Sequence, residues 1–361
     1  MIDLENITPE WIEKVSKRNR NADKILVEKA IRALLLLEGL EKQNIPFVFK
    51  GGTALMLHLD SARRLSIDID IILSDKPDNL DEMLDKLAEE QGFLHKEEQK
   101  RAARTKIDKA HYKFFYTPLH KTRKDEEFVL LDILFEKVQY QKLIPLHVRS
   151  SFIPEKGSPL TVQSPCLEDI TGDKLTAFAP NTTGIPYFKG TDSMSMEIIK
   201  QLYDLGNLAD EVSDTGIISA TFRAIAGTEL SYRDLEKLTE QDVLEDIYQT
   251  ALCIVTRGRD GKGNFEELQK GIQRISRFVF SESYHLEKAI TDASKAAYLA
   301  MLIKYDSKEI EKYTDPLEMR AWVIGSPLDT KLNRLKKSNP EAFFYWYKIF
   351  LLINPDNKQK K

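Results

Sequence analysis

Residues 45–73 read IPFVFKGGTALMLHLDSARRLSIDIDIIL, and this stretch decides the fold that the sequence predicts. Ile45–Phe49 is short, apolar and β-prone, and Gly51-Gly52 interrupts it. Thr53–Leu59 has the apolar spacing of a helix, and Ile67–Leu73 begins by alternating isoleucine with aspartate, as a strand does. The stretch therefore predicts a strand, a glycine turn, a short helix, a loop and a second strand.

The two aspartates of the second strand form a candidate metal site. Residues i and i+2 of a strand project to the same face, so Asp68 and Asp70 point together, with Ser66 on the same side. Carboxylates side by side repel each other and are costly to desolvate unless a cation lies between them. Mg²⁺ binds carboxylate oxygens together with substrate phosphates and supports phosphoryl transfer. We therefore expect Asp68 and Asp70 to bind Mg²⁺.

The glycine turn supplies the other half of such a site. Because Gly51 and Gly52 have no Cβ, the backbone can approach a phosphate closely, and the following helix offers its free N–H groups. Thr53 adds a hydroxyl at the helix start, and Ser66 lies on the carboxylate face. We expect these four residues to bind a nucleotide. Each motif alone has a plainer interpretation, a turn or a solvated strand face, and their order along the chain favours a site.

A third acid lies in the apolar run Phe128–Phe135, which we expect to form a strand. A buried, unpaired carboxylate at Asp132 would cost several kcal/mol or be protonated. A metal shared with Asp68 and Asp70 is one solution. Exposure at a strand edge or an arginine partner is another, and the residues themselves leave these alternatives open.

Four motifs resemble those of the AbiEii/AbiGii-type nucleotidyltransferase toxins, which belong to the polymerase-β-like superfamily and to toxin–antitoxin and phage-defence systems. The first two are Lys50-Gly51-Gly52-Thr53-Ala54-Leu55 and Arg64-Leu65-Ser66-Ile67-Asp68-Ile69-Asp70. The later two are Asp169-x-x-x-Asp173-Lys174-Leu175-Thr176-Ala177-Phe178 and Lys200-x-x-Tyr203-Asp204-Leu205. The resemblance covers roughly residues 30–210.

The resemblance implies Mg²⁺-dependent transfer of a nucleoside monophosphate from an NTP, with pyrophosphate released. The implied catalytic residues are Asp68 and Asp70 as metal-binding acids, Lys174 at the triphosphate and Asp204 as a further acid. A lysine suits this role because it is a compact point charge. The acceptor would be a tRNA 3′ end, and the partner a separately encoded antitoxin. Without the resemblance, Lys174 reads as a surface lysine and Asp204 as a helix-face acid.

Length and periodicity indicate two domains. The chain has 361 residues, and strand signals almost vanish beyond about residue 210. We expect an α+β fold: a nucleotidyltransferase domain with a mixed sheet and two N-terminal helices over 1–210, then an α-helical bundle domain over 211–361. In the second half, Ser231-x-x-Asp234 and Thr239-x-x-Asp242 predict two helix starts.

Composition excludes several classes of protein. The 53 basic and 57 acidic residues nearly cancel, so net charge predicts neither a nucleic-acid nor a membrane partner. Cys166 and Cys253 cannot form a disulfide framework, and we expect two thiols in a reducing compartment. Met1–Glu5 lacks a signal-peptide pattern, and no apolar run approaches the ~18–20 residues that span a bilayer. We expect a cytoplasmic protein without membrane contact.

The stretch from Lys100 to Lys124 combines basic and aromatic side chains. It contains nine basic residues but only one acid, Asp108, and four aromatic residues lie between positions 112 and 116. The basic residues are Lys100, Arg101, Arg104, Lys106, Lys109, Lys113, Lys121, Arg123 and Lys124. This mixture suits an RNA backbone with stacked bases, or a hairpin whose charged edge prevents strand pairing.

Two other segments have plainer interpretations. Lys331–Lys337 is basic and precedes the aromatic run Phe343–Tyr347, which we expect to pack its rings inside the helical half. Arg257–Gly263 is rich in glycine but lacks the GxxxxGK[ST] spacing of a phosphate-binding loop, so we expect a loop between helices.

Two rival classes are compatible with the residues. A metal-dependent glycosyltransferase also uses Asp-x-Asp, although it does not need a Gly-Gly turn and helix directly upstream. A non-catalytic nucleotide-binding module, with the helical half as an interaction surface, is the second. Transfer from NTPs rather than UDP-sugars would exclude the first class, and release of pyrophosphate would exclude the second.

Overall fold

The computed structural model describes residues 1–59, 63–99, 108–120, 124–315, 317–328 and 330–356. The chain divides into two compact units. The first comprises residues 1–166 and 277–283, and the second comprises residues 167–276 and 284–361.

The first unit combines α-helices with a seven-stranded sheet. The helices are α1 (Pro9–Arg18), α2 (Lys24–Lys42), α3 (Gly51–His58) and α4 (Leu80–Glu90). The strands are β1 (Val48–Lys50), β2 (Asp68–Leu73), β3 (His95–Glu98), β4 (Lys109–Tyr116), β5 (Glu127–Phe135), β6 (Leu143–His147) and β7 (Thr161–Pro165).

Side-chain caps mark the starts of both N-terminal helices. Thr8 accepts a hydrogen bond from the Trp11 N–H, and Pro9 occupies the first position of α1, where its missing N–H costs nothing. Asp23 accepts from the first-turn N–H groups of α2. The α2 helix then packs its apolar residues, including the fully buried Leu34–Leu37, into the core of this unit.

The sheet is mixed, as predicted, with strand order β3-β4-β5-β2-β1-β7-β6. β2 runs parallel to β5 and antiparallel to β1, while β4 pairs antiparallel with β5. Alternation buries one face of β2, β4 and β5, including Ile69, Phe114 and Leu131, and leaves Asp68 and Asp70 half-buried on the other. β3, β6 and β7 were not predicted, because their short, partly charged or proline-containing sequences carry weak strand signals.

The second unit consists of helices and one small hairpin. The helices are α5 (Leu167–Ala177), α6 (Ser195–Glu211), α7 (Thr215–Tyr232), α8 (Glu240–Val255), α9 (Phe265–Ile275), α10 (Leu286–Lys304), α11 (Leu335–Ser338) and α12 (Pro340–Ile353). The hairpin pairs β8 (Phe188–Lys189) with β9 (Asp192–Ser193).

The structure places the division between units earlier than the expected boundary at residue 210. α5 packs on α7, and α6 packs on α9 and α10, so residues 167–210 belong with the helices that follow them. Sequence periodicity identified these helices but not their neighbours, because packing between distant segments is not a local property.

Two predicted helix starts have different outcomes. Thr239 and Asp242 form a capping box at the start of α8, which confirms that prediction. The predicted start at Ser231 is wrong, because Ser231 lies in the last turn of α7 and Asp234 has a left-handed φ of 55°. The Phe343–Tyr347 rings are buried in α12, as predicted.

Both cysteines are free and buried. Within the described residues, we find no helix with the length and apolar character required to span a membrane.

Candidate active site

Gly51 brings the start of α3 against a carboxylate of β2. Its φ of +81° lies in the left-handed region that glycine adopts without strain. A Cβ at this position would lie 2.1 Å from Oδ2 of Asp70, well inside van der Waals contact. The position therefore requires glycine for two independent reasons, its backbone angle and the close approach of Asp70.

Gly52 makes a second close approach. A Cβ there would lie 2.7 Å from the Ser66 hydroxyl oxygen and 2.8 Å from Nη2 of the buried Arg64. A guanidinium and a hydroxyl thus lie beside the first turn of α3, where the N–H groups have no partner within the helix and the helix dipole is positive. Arg64 was not among the predicted site residues, although its cationic side chain adds to the attraction of this corner for an anion.

Thr53 has a structural partner. It is fully buried, and its hydroxyl donates a hydrogen bond of 2.6 Å to the backbone carbonyl of Asp68. This bond fastens α3 to the first residue of β2 and helps to fix the glycine turn relative to the aspartates. A nucleotide contact by Thr53 stays a prediction.

Sheet register places four polar side chains in one row. Lys50 of β1 is paired with Asp70 of β2, Asp70 with Asp132 of β5, and Asp132 with His111 of β4. Neighbouring strands lie about 4.8 Å apart, and paired residues project to the same face. Asp132 therefore stands beside Asp70, on the face that carries Asp68.

His111 is the partner of the third carboxylate. Asp132 Oδ1 accepts a hydrogen bond of 2.6 Å from His111 Nδ1, with 15% of the histidine side chain and 36% of the aspartate side chain exposed. An ionised carboxylate can only accept, so this contact places the proton on Nδ1. The alternative of a strand-edge position for Asp132 is wrong, because β5 lies between β2 and β4. The sequence did not reveal His111, because its pairing depends on the β4–β5 register.

The three carboxylates have the chemistry that Mg²⁺ prefers in its ligands. Asp68, Asp70 and Asp132 offer oxygen ligands from adjacent strands, the donor type that this ion prefers. Among the described residues, no group of three or more acidic, histidine or cysteine side chains is arranged so that it could hold a metal ion by itself. Mg²⁺ is usually held by one or two carboxylates together with substrate phosphates, and an open arrangement suits that mode.

The remaining two predicted catalytic residues lie in the second unit and pair with each other. Lys174 Nζ of α5 is 2.7 Å from Asp204 Oδ2 of α6 and donates a hydrogen bond of 3.1 Å to Gln201 Oε1. Their side chains are 8% and 3% exposed. The alternatives of a surface lysine and an ordinary helix-face acid are therefore wrong. This buried pair joins the two helices that carry the motifs.

The basic and aromatic stretch is only partly described. Lys100–Ile107 and Lys121–Arg123 hold six of its nine basic residues and lie outside the described residues. In β4, Phe115 stacks on His95 with ring centroids 4.4 Å apart, and Lys113 Nζ lies 4.5 Å from the centroid of Phe128. Lys113 and Phe115 alternate with buried residues, so they project to the same face as His111.

A mixed sheet with Asp-x-Asp on one strand, next to a glycine turn and helix start, is the arrangement expected of a nucleotidyltransferase. Residues 35–307 match the model of the AbiEii nucleotidyl transferase toxins of type IV toxin–antitoxin systems. The chain belongs to this family and is a nucleotidyltransferase toxin. Membership of this family favours a nucleotidyltransferase over the two rival hypotheses, a glycosyltransferase and a non-catalytic nucleotide-binding module.

Solved structures with related folds include two bacterial proteins. MenT4, a nucleotidyltransferase toxin of Mycobacterium tuberculosis, is 13% identical over 94% of this chain and 98% of its own, with a TM-score of 0.46. JHP933 of Helicobacter pylori is 16% identical over 88% of this chain and 100% of its own, with a TM-score of 0.41. At these scores the likeness is too distant to carry a functional argument. No curated protein matches the chain.

Proposed function

We propose that this toxin transfers a nucleoside monophosphate from an NTP to a tRNA 3′ end, in a Mg²⁺-dependent reaction that releases pyrophosphate. One observation supports the chemistry above all others: Asp68 and Asp70 share a sheet face with Asp132, and Asp70 touches the glycine turn that starts α3. Carboxylates suited to a metal ion and a helix start suited to an anion therefore lie next to each other at Gly51.

Asp68, Asp70 and Asp132 would hold the metal, which when bound neutralises phosphate charge and stabilises the attacking and leaving oxygens. His111 holds one oxygen of Asp132 through its Nδ1–H and thereby orients that carboxylate. The role of Asp132 as a ligand is part of this proposal.

The nucleotide phosphates would lie at the first turn of α3. Gly51 and Gly52 carry no side chain that would cover this turn, while Arg64 and Ser66 add a cation and a hydroxyl beside it. Lys174 is proposed to meet the triphosphate, with Asp204 holding its ammonium in place. The match to the family's motifs supports these two roles.

The acceptor proposal is supported by the strand next to the carboxylates. Lys113 and Phe115 of β4 offer a cation and a ring on the same face as His111 and Asp132. Cations bind backbone phosphates, and rings stack on the unpaired bases of a single-stranded end such as that of tRNA. The antitoxin expected of a type IV system is proposed to be encoded separately.

The proposal is tested by incubating the full chain with each α-³²P-labelled NTP, total RNA and total protein, with Mg²⁺ present or chelated. We expect label in a tRNA-sized band and a loss of at least about a hundredfold in rate for Asp70→Asn, since several kcal/mol of charge stabilisation disappear. Asp75→Asn, an exposed acid just beyond the same strand, is the matched control and should retain the parent rate.

Each other outcome corrects one part of the proposal. Label in protein alone would replace the acceptor, and transfer that persists with chelator would remove the metal. Transfer by Asp70→Asn at the parent rate would contradict the assigned site.

A further inference from the structure

The second unit contains a pocket that none of the candidate active-site residues lines. Its volume is about 160 Å³, far above the ~10–15 Å³ that one water requires. It lies among the end of α8, the loop that follows, the first turns of α10, and the 3-10 helix Thr330–Arg334 with α11. Two basic segments that the sequence analysis set aside, Arg257–Gly263 and Lys331–Lys337, meet in its wall.

The loop that carries two of the basic residues is held firmly against α8. The Asp260 N–H donates to the Thr256 hydroxyl oxygen at 3.0 Å. Gly261 has a φ of +84°, and a Cβ there would lie 2.4 Å from the Gln249 carbonyl oxygen. The loop backbone is therefore fixed by packing before any ligand arrives, which lowers the entropy cost of binding.

The charges of the pocket do not balance. Its ionic lining comprises four cations and two acids, namely Arg257, Arg259, Lys331 and Arg334 with Asp260 and Glu287. Arg257 pairs with Glu287 at 2.5 Å, and Lys331 lies 3.9 Å from Asp260. Across the described part of the chain, Arg259 and Arg334 form no ion pair. Two guanidinium groups thus remain available to an anion.

The rest of the lining is apolar. Val255, Ile290, Leu332 and Leu335 are buried residues that contribute to the same pocket. Guanidinium groups bind phosphate through paired, charge-assisted hydrogen bonds, and aliphatic surface accepts a base or the carbon side of a ribose. The combination fits a nucleotide unit better than a bare phosphate ion.

The flanking residues favour a strand over a free nucleotide. Lys262 follows the loop arginines and Lys337 follows Arg334, and both lysines are exposed. A chain of phosphates gains from each additional cation that it neutralises, whereas a single nucleotide gains little from cations outside its pocket.

We propose that this pocket binds one nucleotide of an RNA strand, with the phosphate on Arg259 and Arg334. That this strand is the acceptor of the transfer rests on the function proposed above. The site lies in the helical half of the chain and is formed by residues outside every motif of the transferase.

The test uses the full chain with Asp70→Asn, so that binding is read without transfer. Fluorescein-labelled tRNA is titrated at several salt concentrations and followed by anisotropy, and ATP binding is measured in parallel. The test variant is Arg259→Glu with Arg334→Glu. The matched control, Lys237→Glu with Lys308→Glu, makes the same charge change at exposed positions of the same unit.

We expect the arginine variant to bind tRNA at least about tenfold more weakly, with a salt slope smaller by about 1–2, and the control to bind as the parent does. ATP binding should be equal in all three. The variant Arg259→Gln with Arg334→Gln controls for misfolding, provided that its unfolding temperature equals that of the parent. This variant should also bind tRNA more weakly.

Unchanged tRNA binding by a folded arginine variant would overturn the proposal. Weaker ATP binding with unchanged tRNA binding would also overturn it and would assign the pocket to a free nucleotide. Transfer by the chain with native Asp70 is measured separately. Absent transfer with arginine-dependent tRNA binding would contradict the proposed function and leave the pocket assignment intact.

Discussion

At the scale of single residues, Gly51 links the backbone to the chemistry. Its left-handed φ and the contact with Asp70 coincide at one Cα, so any side chain there meets both penalties. Gly157 of the same unit has a φ of +72° but no atom within 4 Å of its virtual Cβ. Substitutions at these two glycines therefore distinguish the cost of a left-handed backbone from the cost of a steric clash.

We expect Gly157→Ala to lower the free energy of unfolding by about 1–2 kcal/mol, the cost of a left-handed alanine. Gly51→Ala should cost more, because its methyl group also displaces the Asp70 carboxylate. Only Gly51→Ala should lose nucleotide transfer. Urea unfolding and the transfer assay measure the two effects, and equal losses in both variants would show that the Asp70 contact is unimportant.

At the scale of elements, the Lys174–Asp204 pair connects α5 to α6. Buried ion pairs gain little over apolar pairs, but removal of one partner leaves a charge without compensation. The pair therefore acts as a constraint on which faces of the two helices meet, in addition to any role at the triphosphate.

Lys174→Met is expected to lower the free energy of unfolding by about 3–5 kcal/mol, since Asp204 would remain buried without its main partner. Lys174→Met with Asp204→Leu should recover much of that loss but no transfer activity. Lys86→Met, which removes an exposed pair with Glu90, should change stability little. Chemical denaturation of the parent protein and the three variants measures these changes in the free energy of unfolding. A double variant less stable than Lys174→Met would show that the pair does not constrain how the two helices pack.

At the scale of the whole molecule, burial of ionisable groups makes stability depend on pH. Burial lowers the pKa of His58 from 6.5 to about 4, against a smaller raising effect from the Pro165 backbone. The ring lies in α3 and contacts the Ser164 hydroxyl of β7 at 2.9 Å, so it joins two elements of the first unit. The folded chain favours neutral His58, whereas the unfolded chain takes up a proton near pH 6.5.

The contribution of His58 is therefore complete above pH 6.5 and declines as the pH falls towards 4. Between pH 7 and pH 5 the expected loss is about 2 kcal/mol. His58→Gln, which does not titrate, should lose correspondingly less over the same interval. Urea unfolding at both pH values measures the difference between the two proteins, and parallel pH profiles would disprove the assignment to His58.

Local patterns were sufficient for much of the fold. Thr8 with Pro9 and the Thr239–Asp242 box act within a single helical turn, so sequence alone locates the starts of these two helices. The helix α7 was not predicted, because Thr215–Tyr232 contains β-branched residues and glycines among its apolar positions. These residues have low helix propensity. The strands β3, β6 and β7 were not predicted because pairing with their neighbours, rather than their own composition, makes them strands.

The sequence by itself determined the glycine turn, the shared face of Asp68 and Asp70, and the order of motifs that indicates a nucleotidyltransferase. These depend on contacts between near neighbours in the chain. Only the tertiary structure decided that Asp132 stands between Asp70 and His111, that Lys174 meets Asp204, and that two distant basic loops line one pocket. Those contacts depend on strand register and helix packing, which join segments far apart in the chain and leave no periodic trace in either segment.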